Sequence, residues 1–416
     1  MTQVLRTILI SLIGFGMISP GAYSQEIASF EISVPEGHSA FPVGLDLDEI
    51  THLADTLLDL VEVVNGQHHP VNHQIEKEGV RRLVWMLQPG VAKRTFTLRQ
   101  KASTPQQLTI TVAKEDGGII IGNNTRPLLR YNFATMFPPE GVNEVFKRSG
   151  FIHPFWSPSG KVLTRVQPPD HYHHYGLWNP WTQVEFKGKR VDFWNLGEKQ
   201  GTVRFANFIS TESGPVFGAL KVLHEHVVFN GDEEEVALNE VQGVKIYQAE
   251  NQQDAYFMDI SIQLNCATDS PVILKEYRYG GLGWRATELW DRDNSEVLTS
   301  DGNNRATSDG SLARWCIVQV ELDDGFAAVV MMSFPTNYNH PEPLRIWPED
   351  IYDRGDMFAN FSPTKDKDWP LEPGKVYQLN YRFYVSDKKI SAEEAERLWQ
   401  QYANPPAINV KLISQK

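Results

Sequence analysis

Apolar and polar positions alternate along much of this chain with a period of two, the pattern of strands that turn one face to a core and the other to water. Met258, Ile260, Ile262 and Leu264 alternate with Asp259, Ser261 and Gln263, and Tyr377, Leu379, Tyr381, Phe383 and Val385 repeat the pattern near the end. Residues 326–334, FAAVVMMSF, are almost continuously apolar, which predicts a strand buried on both faces. Asn230-Gly231, Asp301-Gly302 and Asp324-Gly325 supply turn chemistry between such runs. Helical spacing is rarer. Ser391 and Glu394 form a capping box ahead of Ala395, Leu398, Trp399 and Tyr402, which predicts a helix over 391–403. Ile50, Leu53, Ala54, Leu57, Leu58 and Val61 share helical spacing and predict a second helix over 50–61.

The first residues follow a different pattern. Arg6 precedes the apolar run 7–19, Pro20 and Gly21 break it, and Ala22-Tyr23-Ser24 offers small residues for cleavage. Residues 1–24 therefore read as a secretory signal, and a periplasmic or secreted chain starting at Gln25 is expected. The run is short for a membrane span and no later run reaches the roughly 18 apolar residues one needs, so no membrane association is expected after cleavage. Strand signals at 95–98 and 108–112 precede the turn-rich Asp116-Gly117-Gly118 and Gly122-Asn123-Asn124, which divides a small β module, 25–115, from a larger β unit, 116–416. The formal net charge of −13 repels phosphate backbones, so nucleic acid is not an expected partner. Cys266 and Cys316 allow one disulfide or two buried thiols.

Beyond Arg126, tryptophan, histidine, proline and tyrosine become dense, and three clusters stand out. The first runs from Pro168 to Trp178 and holds His171, His173 and His174. In an extended segment, His171 and His173 would share a face and His174 would point away. Such imidazoles suit acid–base work or metal ligation, and equally the holding of loop carbonyls. Arg130, Asn132, His153, Trp178 and Trp181 lie around this cluster in sequence. Flat aromatic faces beside amides and guanidinium groups are what a sugar ring and its hydroxyls require. The second cluster, 275–288, carries Glu276, Arg285 and Glu288 among three glycines that fit no dinucleotide or phosphate loop. The third, 336–347, carries Asn337, His340 and Arg345 in a loop after the buried strand.

Taken together, Arg126-Pro-Leu-Leu-Arg-Tyr-Asn, Ser149-Gly-Phe-Ile-His-Pro, Pro169-Asp-His-Tyr-His-His-Tyr-Gly-Leu-Trp, Asp192-Phe-Trp-Asn, Tyr279-Gly-Gly-Leu-Gly-Trp-Arg-Ala-Thr-Glu, Ala313-Arg-Trp-Cys and Asn339-His-Pro-Glu-Pro-Leu-Arg-Ile-Trp resemble the PmoA-like family of exported bacterial proteins, a domain of unknown function. The family label suggests a methane oxygenase subunit, a membrane protein, and the absence of a spanning run sets that meaning aside. The resemblance implies a mainly β fold, a small immunoglobulin-like module followed by a large galactose-mutarotase-like β-supersandwich. It also implies histidines and a carboxylate acting on a sugar ring. The expected function is thus a periplasmic carbohydrate-active enzyme, a hydrolase, lyase or epimerase. His171, His173 or His174 would work with Glu276 or Glu288, and Arg130, Asn132, His153, Trp178, Trp181, Arg285, Asn337, His340 and Arg345 would bind substrate. The alternatives are a noncatalytic glycan-binding protein and a metal-dependent enzyme with His171 and His173 as ligands. No cofactor is expected beyond that divalent metal, and the expected partner is a carbohydrate or glycan fragment.

Overall fold

The computed structural model describes residues 25–413 apart from 36, 77–78, 102–105, 249–252, 323–324 and 353. The predicted signal segment, and Asp324 of one predicted turn, lie outside the described residues. The chain is mainly β, built from antiparallel sheets stacked face to face.

An eight-stranded sheet forms the middle layer. Its strands run in the order Gly201–Glu212, Phe217–Asn230, Glu233–Tyr247, Ala255–Cys266, Tyr377–Ser386, Gly325–Ser333, Trp315–Leu322 and Ser295–Thr299. The predicted alternation is realised here: Met258, Ile260, Ile262 and Leu264 are buried, and the residues between them are only partly so. The apolar run at 326–334 is buried on both sides, for a physical reason. Ala327, Val329 and Met331 enter the core shared with a nine-stranded sheet, while Ala328, Val330 and Met332 enter a second core. That second core is built from two smaller N-terminal sheets and the helix Ala392–Ala403.

The helix begins where the capping box predicts. Ser391 accepts a hydrogen bond from the Glu394 amide, and Ala395, Leu398 and Trp399 are buried. Ser391→Ala should destabilise the protein by about 1 kcal/mol in urea unfolding, the usual effect of losing such a cap.

One expectation is corrected. Residues 50–61 are not a helix: a short 3₁₀ turn, Asp55–Leu57, leads into the strand Leu58–Val64. Leu58 and Leu60 alternate into the second core, and the strand pairs on both sides, so the sheet overrides the helical spacing. The strand Ile110–Glu115 pairs with Gly118–Asn123 at the edge of the nine-stranded sheet, and the late strand Ile408–Leu412 returns to pair with Gln25–Ser33. Both cysteines are buried, free thiols.

Candidate functional site

The nine-stranded sheet has two faces of different chemistry. Cross-strand partners share a face, and the register lines up Tyr131, Ile152, Leu177, Trp284, Ala359 and Ile346 across six strands. All six are buried in the core against the eight-stranded sheet. Positions one residue away take the outer face. There the register sets Asn132 beside Phe151, Trp178 beside Gly283, Arg285 beside Phe358, and Arg345 beside Asn360. Arg130 lies on this face too, donating to the Asn132 side chain at 3.0 Å. Phe151, Tyr175, Trp178, Trp194, Trp347 and Phe358 form a separate aromatic cluster over it.

The histidine loop lies on that cluster. It is not extended. The His171 amide donates to the Pro168 carbonyl and the His174 amide to the His171 carbonyl, so two successive turns fold the segment back. Gly176, with a φ of +61°, closes the loop, and a Cβ there would lie 2.4 Å from the Ile152 carbonyl oxygen. This folding corrects the expectation that His174 points away. The three rings converge, with centroids 5.3 Å apart for His171 and His173, 4.6 Å for His171 and His174, and 4.8 Å for His173 and His174. His174 is 3% exposed, against the rings of Trp178, Phe358 and Trp347. Burial holds the His173 imidazole down at about 4 and that of His174 well below its ordinary range. His153, at the margin, is lowered to about 4 for the same reason and meets Thr164 Oγ1 at 2.9 Å.

A chain of charges adjoins the rings. Asp170 lies 2.8 Å from His171 Nδ1 and accepts from Arg285 at 3.0 Å. The same guanidinium nitrogen donates to Asp356 at 2.6 Å, and Arg285 stacks over Trp347 at 4.6 Å. Arg165 links Asp356 to Glu288, each at 3.4 Å. On the opposite side of His171, Nε2 lies 3.1 Å from the Tyr352 hydroxyl. Burial would raise the Asp170 carboxyl, but the His171 hydrogen bond and the Arg285 charge outweigh it and hold the group far below the usual carboxylate range. Since an ionised carboxylate only accepts, His171 Nδ1 carries a proton, and in the neutral ring Nε2 accepts from Tyr352.

The other predicted residues are distributed as follows. Glu288 sits at the exposed rim through Arg165. Glu276 is exposed beside the Lys275–Asp368 pair, in a shallow depression with Tyr277, Arg278 and Lys365. Trp181 is in the inter-sheet core, edge-on to Trp369, and cannot face a ligand on the outer side. Trp178 is on the outer face but buried beneath His174, so neither predicted tryptophan is an open platform. The accessible rings are Tyr352 and, half-buried, Tyr172, Tyr277 and Tyr279. Arg345 is tied to Asp309, which also binds Lys365 at 3.0 Å.

Asn337 and His340 belong to a different network. Asn337 donates to buried Glu342 at 2.8 Å, as do Ser333 at 2.5 Å and Tyr381 at 2.9 Å, and His340 contacts Ser333 at 3.1 Å. Burial pushes the Glu342 carboxyl up to about 7. A raised folded-state pKa gives stability that is present below the unfolded value, 4.5, and lost as pH rises through about 7. Wild type should therefore lose about 3 kcal/mol relative to Glu342→Gln between pH 4.5 and 8, measured by urea unfolding across pH.

Sequence reasoning missed Asp170 as the carboxylate partner, although it directly precedes His171. Tyr352, Asp356 and Arg165 gave no local signal. A depression of about 1210 Å³ lies between the N-terminal sheets and the eight-stranded sheet. Its principal charges, Lys245 with Glu76 and Arg382 with Asp259, are already paired.

Fold and site together define a stacked-sheet β protein with an imidazole centre on the outer face of one sheet. The chain belongs to the family of unknown function DUF6807, whose model matches residues 119–400. No curated protein matches the sequence. Among solved structures it is similar to heparan sulfate lyase HepC from Pedobacter heparinus, at 9% identity and a TM-score of 0.30, over 70% of this chain and 38% of that one. A mutant of that lyase gives 0.32 with the same identity and coverage. It is also similar to the alpha-galactosidase from Lactobacillus brevis, at 11% identity and a TM-score of 0.28, over 68% of this chain and 40% of that one. The chain spans about two fifths of the length of these proteins.

Proposed function

We propose that this protein is an exported, periplasmic or secreted, carbohydrate-active enzyme that moves a proton on a sugar ring, an epimerase or a lyase. The observation behind this reading is the chain Asp170–His171–Tyr352, at 2.8 and 3.1 Å, beside buried Arg285. Asp170 fixes the tautomer and orientation of His171, and His171 accepts the proton of the Tyr352 hydroxyl, which is the exposed end of the chain. A tyrosinate formed in this way can take a proton from a sugar carbon. In an epimerase water then reprotonates that carbon from the opposite face, and in a lyase the new tyrosine hydroxyl gives its proton to the leaving glycosidic oxygen as the ring double bond forms. Arg165 and the exposed Arg354 supply positive charge for a sugar carboxylate or hydroxyls at the rim.

Hydrolysis by paired carboxylates fits less well. Such enzymes set two carboxyl groups on opposite sides of the bond to be broken. Here Asp170 and Asp356 both bind one nitrogen of Arg285. A purely glycan-binding role is also less well supported, since a carboxylate meets the imidazole at hydrogen-bond distance instead of lying about 10 Å or more from it.

The test is to incubate the purified protein with a panel of neutral and uronate-containing glycans in heavy water. Deuterium entering a ring carbon, or the ultraviolet absorbance of a new ring double bond, is the expected result. Release of sugars by simple hydrolysis, or no product from any glycan, would reject the reading.

A further inference from the structure

We propose that His171, His173 and His174 together bind a divalent transition-metal ion, with Asp170 holding the first of them in place. This deepens the reading above, because it names what the same loop holds. It extends the two-histidine alternative by a third ligand and its supporting carboxylate.

One ring nitrogen from each of the three imidazoles lies within 4.8 Å of the others. A tetrahedral zinc with bonds of about 2.0–2.1 Å needs its nitrogens roughly 3.3 Å apart. Small rotations of the half-buried His171 and His173 rings toward His174 supply the difference. His174 is the anchor, held among Trp178, Trp347 and Phe358.

The hydrogen bonding around the rings agrees with ligation. Asp170 takes His171 Nδ1, which leaves Nε2 as the ligating atom. A carboxylate on the far nitrogen of a ligating histidine is the usual support of such a site. His174 Nδ1 is buried and has no hydrogen-bond partner among the described residues. Leaving a buried polar atom unpaired is costly, and a metal bond would satisfy it. Among the described residues no ring nitrogen of the three bonds to main chain, so holding loop carbonyls does not account for the cluster. Arg285 opposes a nearby cation, but both Asp170 and Asp356 already offset its charge.

Imidazole ligands suit zinc, copper, iron and nickel over calcium or magnesium. Three protein ligands leave one coordination position open, the pattern of catalytic sites and not of structural ones. With Nε2 committed to the ion, the Tyr352 hydroxyl, 3.1 Å from that nitrogen, would release its proton to solvent under the ion's charge at the open position, in place of giving it to His171.

The test uses the full chain without a histidine tag, stripped with a chelator and titrated with zinc in a calorimeter and with cobalt by visible absorption. One saturating ion per chain is expected. His173→Ala, chosen because its ring is only partly buried, should abolish saturation while circular dichroism stays native. Asp170→Asn should weaken binding roughly 10- to 100-fold. No saturable binding to folded protein, or the same affinity in His173→Ala, overturns the proposal. Binding is read without any sugar, so its failure leaves the proposed reaction standing. A loaded protein inert toward every glycan would reject that reaction and keep the metal site.

Discussion

His171→Ala should reduce turnover on the active glycan by about 10²- to 10⁴-fold, the usual contribution of a positioned proton-transfer group, and leave the melting temperature close to wild type. The loss is large because His171 joins three parts of the centre: Asp170 on one nitrogen, Tyr352 on the other, and the neighbouring imidazoles against its ring. Its removal leaves Tyr352 with no acceptor for its proton. The fold is spared because His171 lies in a loop on the outer face of the sheet and its hydrogen-bond partner Asp170 keeps Arg285. Tyr352→Phe separates the roles further. It keeps the imidazoles intact, so metal binding should persist while turnover falls by a similar factor. Turnover within twofold of wild type in both variants would remove His171 and Tyr352 from the chemistry.

The largest stability effect should come from a residue outside the site. Glu240 is fully buried between the sheets. Its carboxylate receives His224 Nδ1 at 3.1 Å, His226 Nε2 at 2.8 Å and Asn179 Nδ2 at 2.9 Å, and the Tyr131 hydroxyl meets His224 Nε2 at 2.6 Å. Since a carboxylate only accepts, both imidazoles donate to it, and Tyr131 donates to His224. Glu240→Ala strands three buried donors at once. It should destabilise the protein by about 3–5 kcal/mol, read as a lower urea midpoint. The same network sets an acid limit. Burial would raise the Glu240 carboxyl, but the two imidazoles hold it down at about 2, and burial lowers His226. Both depressed values give stability that is present at neutral pH. It is lost as pH falls below the unfolded values, 6.5 for the imidazole and 4.5 for the carboxyl. In a Glu342→Gln background, which removes the opposing carboxyl, stability that does not fall between pH 7 and pH 4 would contradict this account.

The strands were legible wherever one face was buried, because a period of two leaves its mark only under that condition. The run at 326–334 was legible for the opposite reason, since it lies between two cores. The helical spacing at 50–61 misled because Leu58 and Val61 fit it, whereas Leu58 and Leu60 alternate into the core, and only pairing with neighbouring strands decides between the two periods. At the site, His171, His173, His174 and Arg285 were visible as unusual residues. Their partners were not. Asp356 and Tyr352 arrive from the connection between the strands Glu342–Ile346 and Phe358–Phe361, and the sheet order alone places it beside the histidine loop. Glu276 and Glu288 drew attention as acids in a glycine-rich segment, yet the turns at 168–174 bring the adjacent Asp170 to the imidazole instead. Asn337 and His340 belong with a buried acid, Glu342, whose role no local pattern discloses.

The central claim is that glycan chemistry occurs over the outer face of the nine-stranded sheet, at the exposed edge of the histidine loop beside Tyr352. Hydrogen-exchange mass spectrometry of the full chain, with and without the glycans of the panel, tests its location directly. The account predicts slowed exchange in peptides covering 165–178 and 347–358. Protection confined to the cleft walled by Tyr247 and Tyr402, or none with any glycan, would contradict it.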